Sequence, residues 1–205
     1  MVEKFFLSAG ANKLLNDVWT ASSSRAAQAL SQTLSKETVV NSCLTKLANM
    51  KDIPDLLNPN NSSIAIVSVP IQNDLIGTIF VASEQNSMLA ISDMLLKREI
   101  GSSNQLDKQN LSVIQELGAT MAGFMVEGFI KLFDDKISLK KPNIGVNEYR
   151  ILEGSALGKV YQYNIKVLLF ETVFSIKGTG FGGRVITVFD SVATSKIFEK
   201  ILKNI

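Results

Sequence analysis

The stretch DKQNLSVIQELGATMAGFMVEGFIKLF, residues 107–133, decides the fold. Leu106 and Asp107 read as a hydrophobic staple residue and an N-cap, and Leu111, Ile114, Leu117, Met121, Phe124 and Met125 recur at helical spacing. The pattern predicts one long helix. Residues three and four apart are neighbours on a helix surface, so Ser112, Glu116, Ala119 and Gly123 form one stripe suited to contact with a partner. The same stripe is also what the ordinary solvated face of an amphipathic helix looks like.

The chain says this twice. An early helical segment, roughly Lys4 to Leu34, carries Lys13, Asp17 and Thr20 at the same offsets and runs into the small-residue series Arg25-Ala26-Ala27-Gln28-Ala29-Leu30-Ser31. Extended segments follow at Glu37–Leu44, Ser63–Val69 and Leu75–Ala82, then a shorter helix at Ser87–Arg98. After the second long helix come Lys136–Leu139, Gln162–Phe174 and Arg184–Phe189, then a helix at Ser191–Lys203. The matched order predicts an internal repeat of helix, three strands and helix, with halves of about 1–100 and 104–205 in one domain related by a pseudo-twofold axis. Fully apolar segments such as Val167-Leu168-Leu169-Phe170 call for a sheet covered on both faces. The expected fold class is therefore α+β, a single antiparallel sheet shared by the halves and flanked by long helices.

These residues resemble the CheC family of chemotaxis proteins, whose signature in each half is Asp or Ser, three residues, Glu, two residues, Asn, and a Pro some twenty-two residues on. Ser112, Glu116 and Pro142 fill their places in the second copy, and Ala119 stands where the Asn belongs. In the first copy Lys13, Asp17, Thr20 and Cys43 occupy the four positions, and Asp17 alone keeps the chemical character. Glu116-Leu117-Gly118 stands where the family has Glu-Ile-Gly, and Ala29-Leu30-Ser31 matches the end of the family's first helix. The resemblance spans nearly the whole chain, and it implies that the two signature helices lie together on one side of the sheet.

It also implies a chemistry. CheC-like proteins remove the phosphoryl group from the aspartyl phosphate of a CheY-type response regulator; the Glu engages the regulator's active-site Lys and the Asn holds the attacking water. The regulator supplies Mg, so no cofactor or metal of the protein's own is expected. Phosphoryl transfer of this kind rests on positioning and electrostatics around a loose transition state. Ala119 offers no hydrogen-bonding side chain and Thr20 only a short hydroxyl. The resemblance thus implies docking through Glu116 and Ser112 with weakened hydrolysis. Two other roles stay open: an adaptor that binds phosphorylated regulator or a CheD-type deamidase without hydrolysis, and a flagellar or archaellar switch component. Switch proteins usually carry a further C-terminal module, and this chain ends after the repeat. The family's CheD contact maps to Val146–Lys159, a short stretch interrupted by Gly154 and Gly158.

Composition removes other classes. The 205 residues contain no His, which excludes a histidine base, a phosphohistidine and a His-ligated metal centre. The single Cys43 excludes intramolecular disulfides and fits a reducing, cytoplasmic setting; without a histidine to activate it, Cys43 reads as a small strand residue. A net charge of +2 with dispersed Lys and Glu argues against nucleic-acid binding. Lys136, Lys140 and Lys141 form a small basic cluster beside Pro142, either a solvated loop or an aid in steering an acidic regulator. The apolar run Leu117–Phe133, interrupted by Glu127, reads as too short for a membrane span, and Gly118, Gly123 and Gly128 within it read as places of close packing on the sheet. Phe5-Phe6-Leu7 is too brief for a signal-peptide core. The glycine-rich Gly178–Gly183 lacks the Lys and Ser/Thr ending of a phosphate loop and leads into a strand, so it reads as a hairpin connection. Lys51–Ser63, with Pro54 and Pro59, reads as an exposed loop.

Overall fold

The structure, a computed structural model, describes residues 8–146 and 165–204. In chain order the elements are α1 (Ala9–Leu34), β1 (Thr38–Asn49), α2 (Ile53–Leu57), β2 (Ile64–Asn73), β3 (Gly77–Glu84), α3 (Gln85–Leu95), α4 (Lys108–Phe133), β4 (Ile137–Leu139), β5 (Asn143–Val146), β6 (Lys166–Ile176), β7 (Phe181–Phe189) and α5 (Ser191–Asn204). The expected starts of the first helix at Lys4 and of the β6 strand at Gln162 lie outside the described residues.

Local chemistry sets the two long helices. Ser8 Oγ accepts the Ala11 N–H at 3.2 Å to open α1, and Asp107 accepts the N–H groups of Gln109 and Asn110 while Asn110 Oδ1 accepts the Asp107 N–H, a closed capping box. Each helix has 26 residues, and each stops at a residue in the left-handed region, Ser35 (φ 52°) and Asp134 (φ 53°). The caps at 8 and 107, the last helical residues at 34 and 133, and the left-handed stops at 35 and 134 are all separated by the same 99 residues. That is also the interval between Asp17 and Glu116 and between Cys43 and Pro142.

All seven strands form one antiparallel sheet in the order β1-β6-β7-β3-β2-β4, with β5 also paired to β2. The order is a palindrome about the β7·β3 pair. Each half gives its outer strand to the other: β1 pairs with β6, while β4 and β5 pair with β2. The pseudo-twofold is therefore an exchange of edges, and neither half closes its sheet alone.

Helices α1 and α4 lie together on one face, over a core in which Trp19, Phe129, Phe170 and Phe189 meet at ring distances from 4.9 to 6.1 Å. Phe129 meets Phe170 and Phe189 edge to face. Helices α3 and α5 complete this layer through Met88, Ile91, Ala193 and Ile197. The opposite face holds a second cluster, with Ile66, Phe80, Leu169, Ile186 and Val188 packed with Ile53 and Leu57. Val167 to Phe170 are buried throughout because their side chains alternate between these clusters.

Here the exposed loop expected at Lys51–Ser63 is corrected. Met50–Asp52 forms a 3-10 turn and Ile53–Leu57 a short helix with Pro54 in its first turn; Ile53 and Leu57, one helical turn apart, are buried. Arg184 anchors the segment by donating to the Leu56 carbonyl at 2.9 Å and to Glu171 at 3.0 Å. The glycine-rich stretch forms the β6–β7 hairpin, with Gly178 (φ 72°) and Gly180 (φ 73°) taking the turn's left-handed positions.

Candidate functional site

The signature positions lie on the outward faces of α1 and α4, which run antiparallel where they touch. Trp19 meets Phe129 and Ser23 meets Met125. Arg25 reaches Glu127 at 3.8 Å. At 1.5 Å of rise per residue this places Asp17 and Glu116 about 20 Å apart along the helix axes. The two copies make two separate surfaces and not one composite site.

On α4, Ser112 and Glu116 are exposed, and neither side chain has a hydrogen-bond or ion-pair partner among the described residues. Ala119 is half-buried one turn further on and presents only a methyl group. On α1, Lys13 and Asp17 are also exposed, but Lys13 Nζ donates to Asp17 at 2.7 Å. The hydrogen bond to Asp17, and then its charge, raise the Lys13 pKa above the ordinary lysine value. Thr20 is exposed, with its hydroxyl unpaired among the described residues. The acid of the first copy is thus engaged within its own helix, and that of the second has no partner among the described residues.

Pro142 has a clear structural task. Between Leu139 and Asn143 the β4–β5 edge advances four residues while β2 advances three, from Ile71 to Ser68, so one residue bulges out beside Pro142. The matching edge, β1, bulges between Val40 and Ser42. A bulge tolerates a proline that could not donate to a regular ladder. The Pro142 carbonyl accepts from Gln115 Nε2 at 3.3 Å, which ties the bulge to α4 one residue from Glu116 and brings the exposed Lys140 and Lys141 to that neighbourhood. In the first copy Cys43 is half-buried in β1, its sulfur 3.6 Å from the Thr172 hydroxyl, which fits a strand residue.

The three α4 glycines differ. A Cβ at Gly118 would lie 2.5 Å from Val67 Cγ1, so this glycine seats the helix on β2, as expected. Gly128 instead admits α1, since its Cβ would stand 2.3 Å from Ser22 Oγ. Gly123 has nothing within 4 Å and opens as a notch on the outer surface, against the expectation of packing. Sequence reasoning placed Gly123 in the stripe but missed the apolar groove around it, because Phe124 recurs at the helical spacing of the buried residues and Ile130 was not singled out. By length and composition alone the whole 26-residue α4, longer than the run Leu117–Phe133, could cross a membrane, yet half of its most apolar window is buried within the fold.

The start of α4 is held from behind. Buried Asp93 accepts from the Gly101 and Ser103 N–H groups at 2.9 and 3.3 Å and from the Ser102 and Ser103 hydroxyls. Burial alone would raise its pKa, but these hydrogen bonds outweigh it and hold the carboxyl below the usual range. Asn110 Nδ2 donates to the Ser92 and Ser103 hydroxyls. Among the described residues no group of three or more Cys, Asp or Glu side chains converges as a metal site. Residues 147–159, to which the CheD contact would map, lie outside the described residues.

No family model and no curated protein matches the chain by sequence. Solved structures do. FliY of Thermotoga maritima is similar with TM-score 0.72 and 17% identity, over 97% of this chain and 99% of that one. FliM in the FliG–FliM complex from H. pylori is similar with TM-score 0.65 and 10% identity, over 94% and 100%. CheX in the CheX–CheY–BeF3–Mg2+ complex of Borrelia burgdorferi is similar with TM-score 0.55 and 14% identity, over 83% and 96%. The chain has the α+β fold of CheC/CheX/FliY-type chemotaxis proteins.

Proposed function

From that fold we propose that this protein acts in chemotaxis signalling by docking α4 onto a phosphorylated CheY-type response regulator, and that it speeds loss of the aspartyl phosphate only weakly. The observation that carries the reading is the exposed carboxylate of Glu116 on the helix stripe, unpaired among the described residues. An unpaired acid on a rigid helix meets a partner's cation without first giving up a bond of its own, and Ser112 one turn earlier adds a hydroxyl. The site works by position. Gln115 and the Pro142 bulge hold the edge beside Glu116, while the regulator brings the reacting phosphoryl group and its Mg2+. The α4 surface has no side-chain amide at Ala119 to orient a water, and removing one such positioned group typically costs on the order of a hundredfold or more in rate.

The test follows phosphate loss from a phosphorylated CheY-type regulator of the same organism, with wild type, Ala119→Asn and Glu116→Lys side by side. Wild type binds the regulator and accelerates hydrolysis slightly, Ala119→Asn gains on the order of a hundredfold, and Glu116→Lys loses binding. Binding of the phosphorylated regulator unchanged in Glu116→Lys would sink the reading.

A second reading is favoured by the fold comparison itself: the likeness to FliY and FliM is closer than that to CheX. Under it the chain is a switch component whose partner is a FliG-type protein. Binding to a FliG-type protein, with none to the phosphorylated regulator, would select it.

A further inference from the structure

A cavity lies apart from the α4 stripe, at the end of the sheet where β3 gives way to α3 and the glycine-rich hairpin turns. Its volume is about 270 Å³, just under the roughly 300 Å³ at which sites for drug-sized ligands begin, so it has room for a small metabolite. Ile64, Ala82 and Val173, from three strands, give it an apolar side, and Glu84, Ser87 and Arg184 give it polar ones.

Hydrogen-bond donors stand open at this place. Ser87 is only 8% exposed, and its hydroxyl has no hydrogen-bond partner among the described residues. Glu84 stands at the N-cap of α3 but makes no side-chain cap, so the first-turn N–H groups of Asn86 and Ser87 have no side-chain acceptor; that of Gln85 is taken by the Ser63 carbonyl at 2.8 Å. The repeat shows the closed form of the same helix start. At α5 the shorter Asp190 accepts the Ala193 N–H at 2.7 Å, and the residue in the place of Ser87 is that alanine.

Charge narrows the ligand. Arg184 stands opposite Ala82, and Glu84, two residues along β3, shares that face, yet the two do not pair. Arg184 is held instead by Glu171 and the Leu56 carbonyl, which offsets its charge, while the exposed Glu84 has no partner among the described residues. An inorganic anion would satisfy the donors but face Glu84, and a simple cation would satisfy Glu84 but leave the donors empty. A zwitterion answers both. We infer that this cavity binds a small apolar α-amino acid, with its carboxylate at the Ser87 hydroxyl and the open N–H groups of α3, its ammonium at Glu84, and its side chain against Ile64, Ala82 and Val173.

The experiment titrates the full chain by calorimetry with each of the standard amino acids, then with the N-acetyl and carboxamide forms of the tightest binder and with inorganic phosphate. The titration is repeated on Ser87→Ala, Glu84→Gln and Glu84→Asp, with thermal unfolding of each. An apolar amino acid binds saturably, one per chain; blocking its ammonium or its carboxylate weakens it by about tenfold or more, as do Ser87→Ala and Glu84→Gln. Glu84→Asp keeps the charge but gives α3 the cap that α5 has, so the melting temperature rises while binding weakens. No saturable binding of any amino acid overturns the inference. So does equal affinity for inorganic phosphate or the N-acetyl form, which leaves a plain anion site, or for the carboxamide, which leaves a plain cation site. Affinity unchanged in both Ser87→Ala and Glu84→Gln puts the amino acid elsewhere and overturns it as well. None of these outcomes bears on the docking of α4.

Discussion

Helices α1 and α4 share a length, a cap at each end and an interval of 99 residues, yet they have become different objects. On the outer faces, Asp17 is bonded to Lys13 while Glu116 has no partner among the described residues, and polar Ser24 and Arg25 hold the repeat positions of the Gly123 and Phe124 notch. The inner faces diverge as far: Trp19, fully buried, occupies the repeat position that Gly118 holds on α4. A duplicated element keeps its backbone because caps and sheet register demand it. Its two faces drift apart because each packs against, or presents itself to, something different. Both helices bury one face in the core; α1 places its largest side chain, Trp19, where α4 has a glycine against the sheet, and α4 carries the exposed acid and the open notch.

The hardest test of that division is Trp19→Ala. Trp19 packs 5.1 Å from the Phe170 ring and donates Nε1–H to the Glu171 carbonyl at 3.2 Å. Its removal leaves a cavity and forfeits that hydrogen bond, and denaturant unfolding should show a loss of about 3–5 kcal/mol. A loss below about 1 kcal/mol would mean that Trp19 does not anchor α1 in the shared core.

Next in size is Asp93→Asn, which probes how the two helices are started. The beginning of α1 has Ser8 as its cap, whereas α4 has the Asp107 box, Asn110 and the loop gripped by Asp93. An amide cannot accept from all four donors, and hydrogen bonds to a charged group contribute about 1.5–3 kcal/mol in total effect. The Asp93 carboxyl titrates lower in the folded chain than in the unfolded one, so its contribution is complete above the unfolded carboxylate range and is lost as pH falls through the lowered folded value. Asp93→Asn should abolish that acid-side loss, and the slope of stability against pH below about pH 4 checks it.

The smallest effect belongs to Lys13→Ser, which gives α1 the residue that α4 has at Ser112 and releases Asp17. The pair is exposed, so the melting temperature should not move. Titration with the phosphorylated regulator should still saturate at one per chain, because Thr20 and Ser24 still stand where α4 has Ala119 and Gly123. A second bound regulator would show that Lys13 alone had silenced the first copy.

Much of this was legible in the residues. Asp107 announced the N-cap of α4, the helical spacing of Ile114, Leu117 and Met121 marked its buried side, and the matched offsets of the two motifs agree with the structural interval. The Lys13–Asp17 bond was legible too, in a lysine and an acid four apart, though the comparison with the family drew attention to the identity of Asp17 and away from its neighbour. The α2 segment was obscured because Pro54, Pro59 and the asparagines resemble a loop, and two buried residues, Ile53 and Leu57, give too short a period to oppose them. Phe124 shares the spacing of core residues, so no count of periods could place it at an open groove.

By itself the sequence determined the extent of α4, the end of α1, the repetition of the two long helices and the residues in the signature positions, because caps, turns and periodicity act within a few residues. Only the tertiary structure decided that the halves exchange their edge strands, that Asp17 and Glu116 lie on separate surfaces, that Gly128 admits a helix while Gly123 faces open space, and that Glu116 is unpaired among the described residues. Those outcomes depend on which surfaces meet, and contacts between residues far apart in the chain leave no local signature for a single sequence to show.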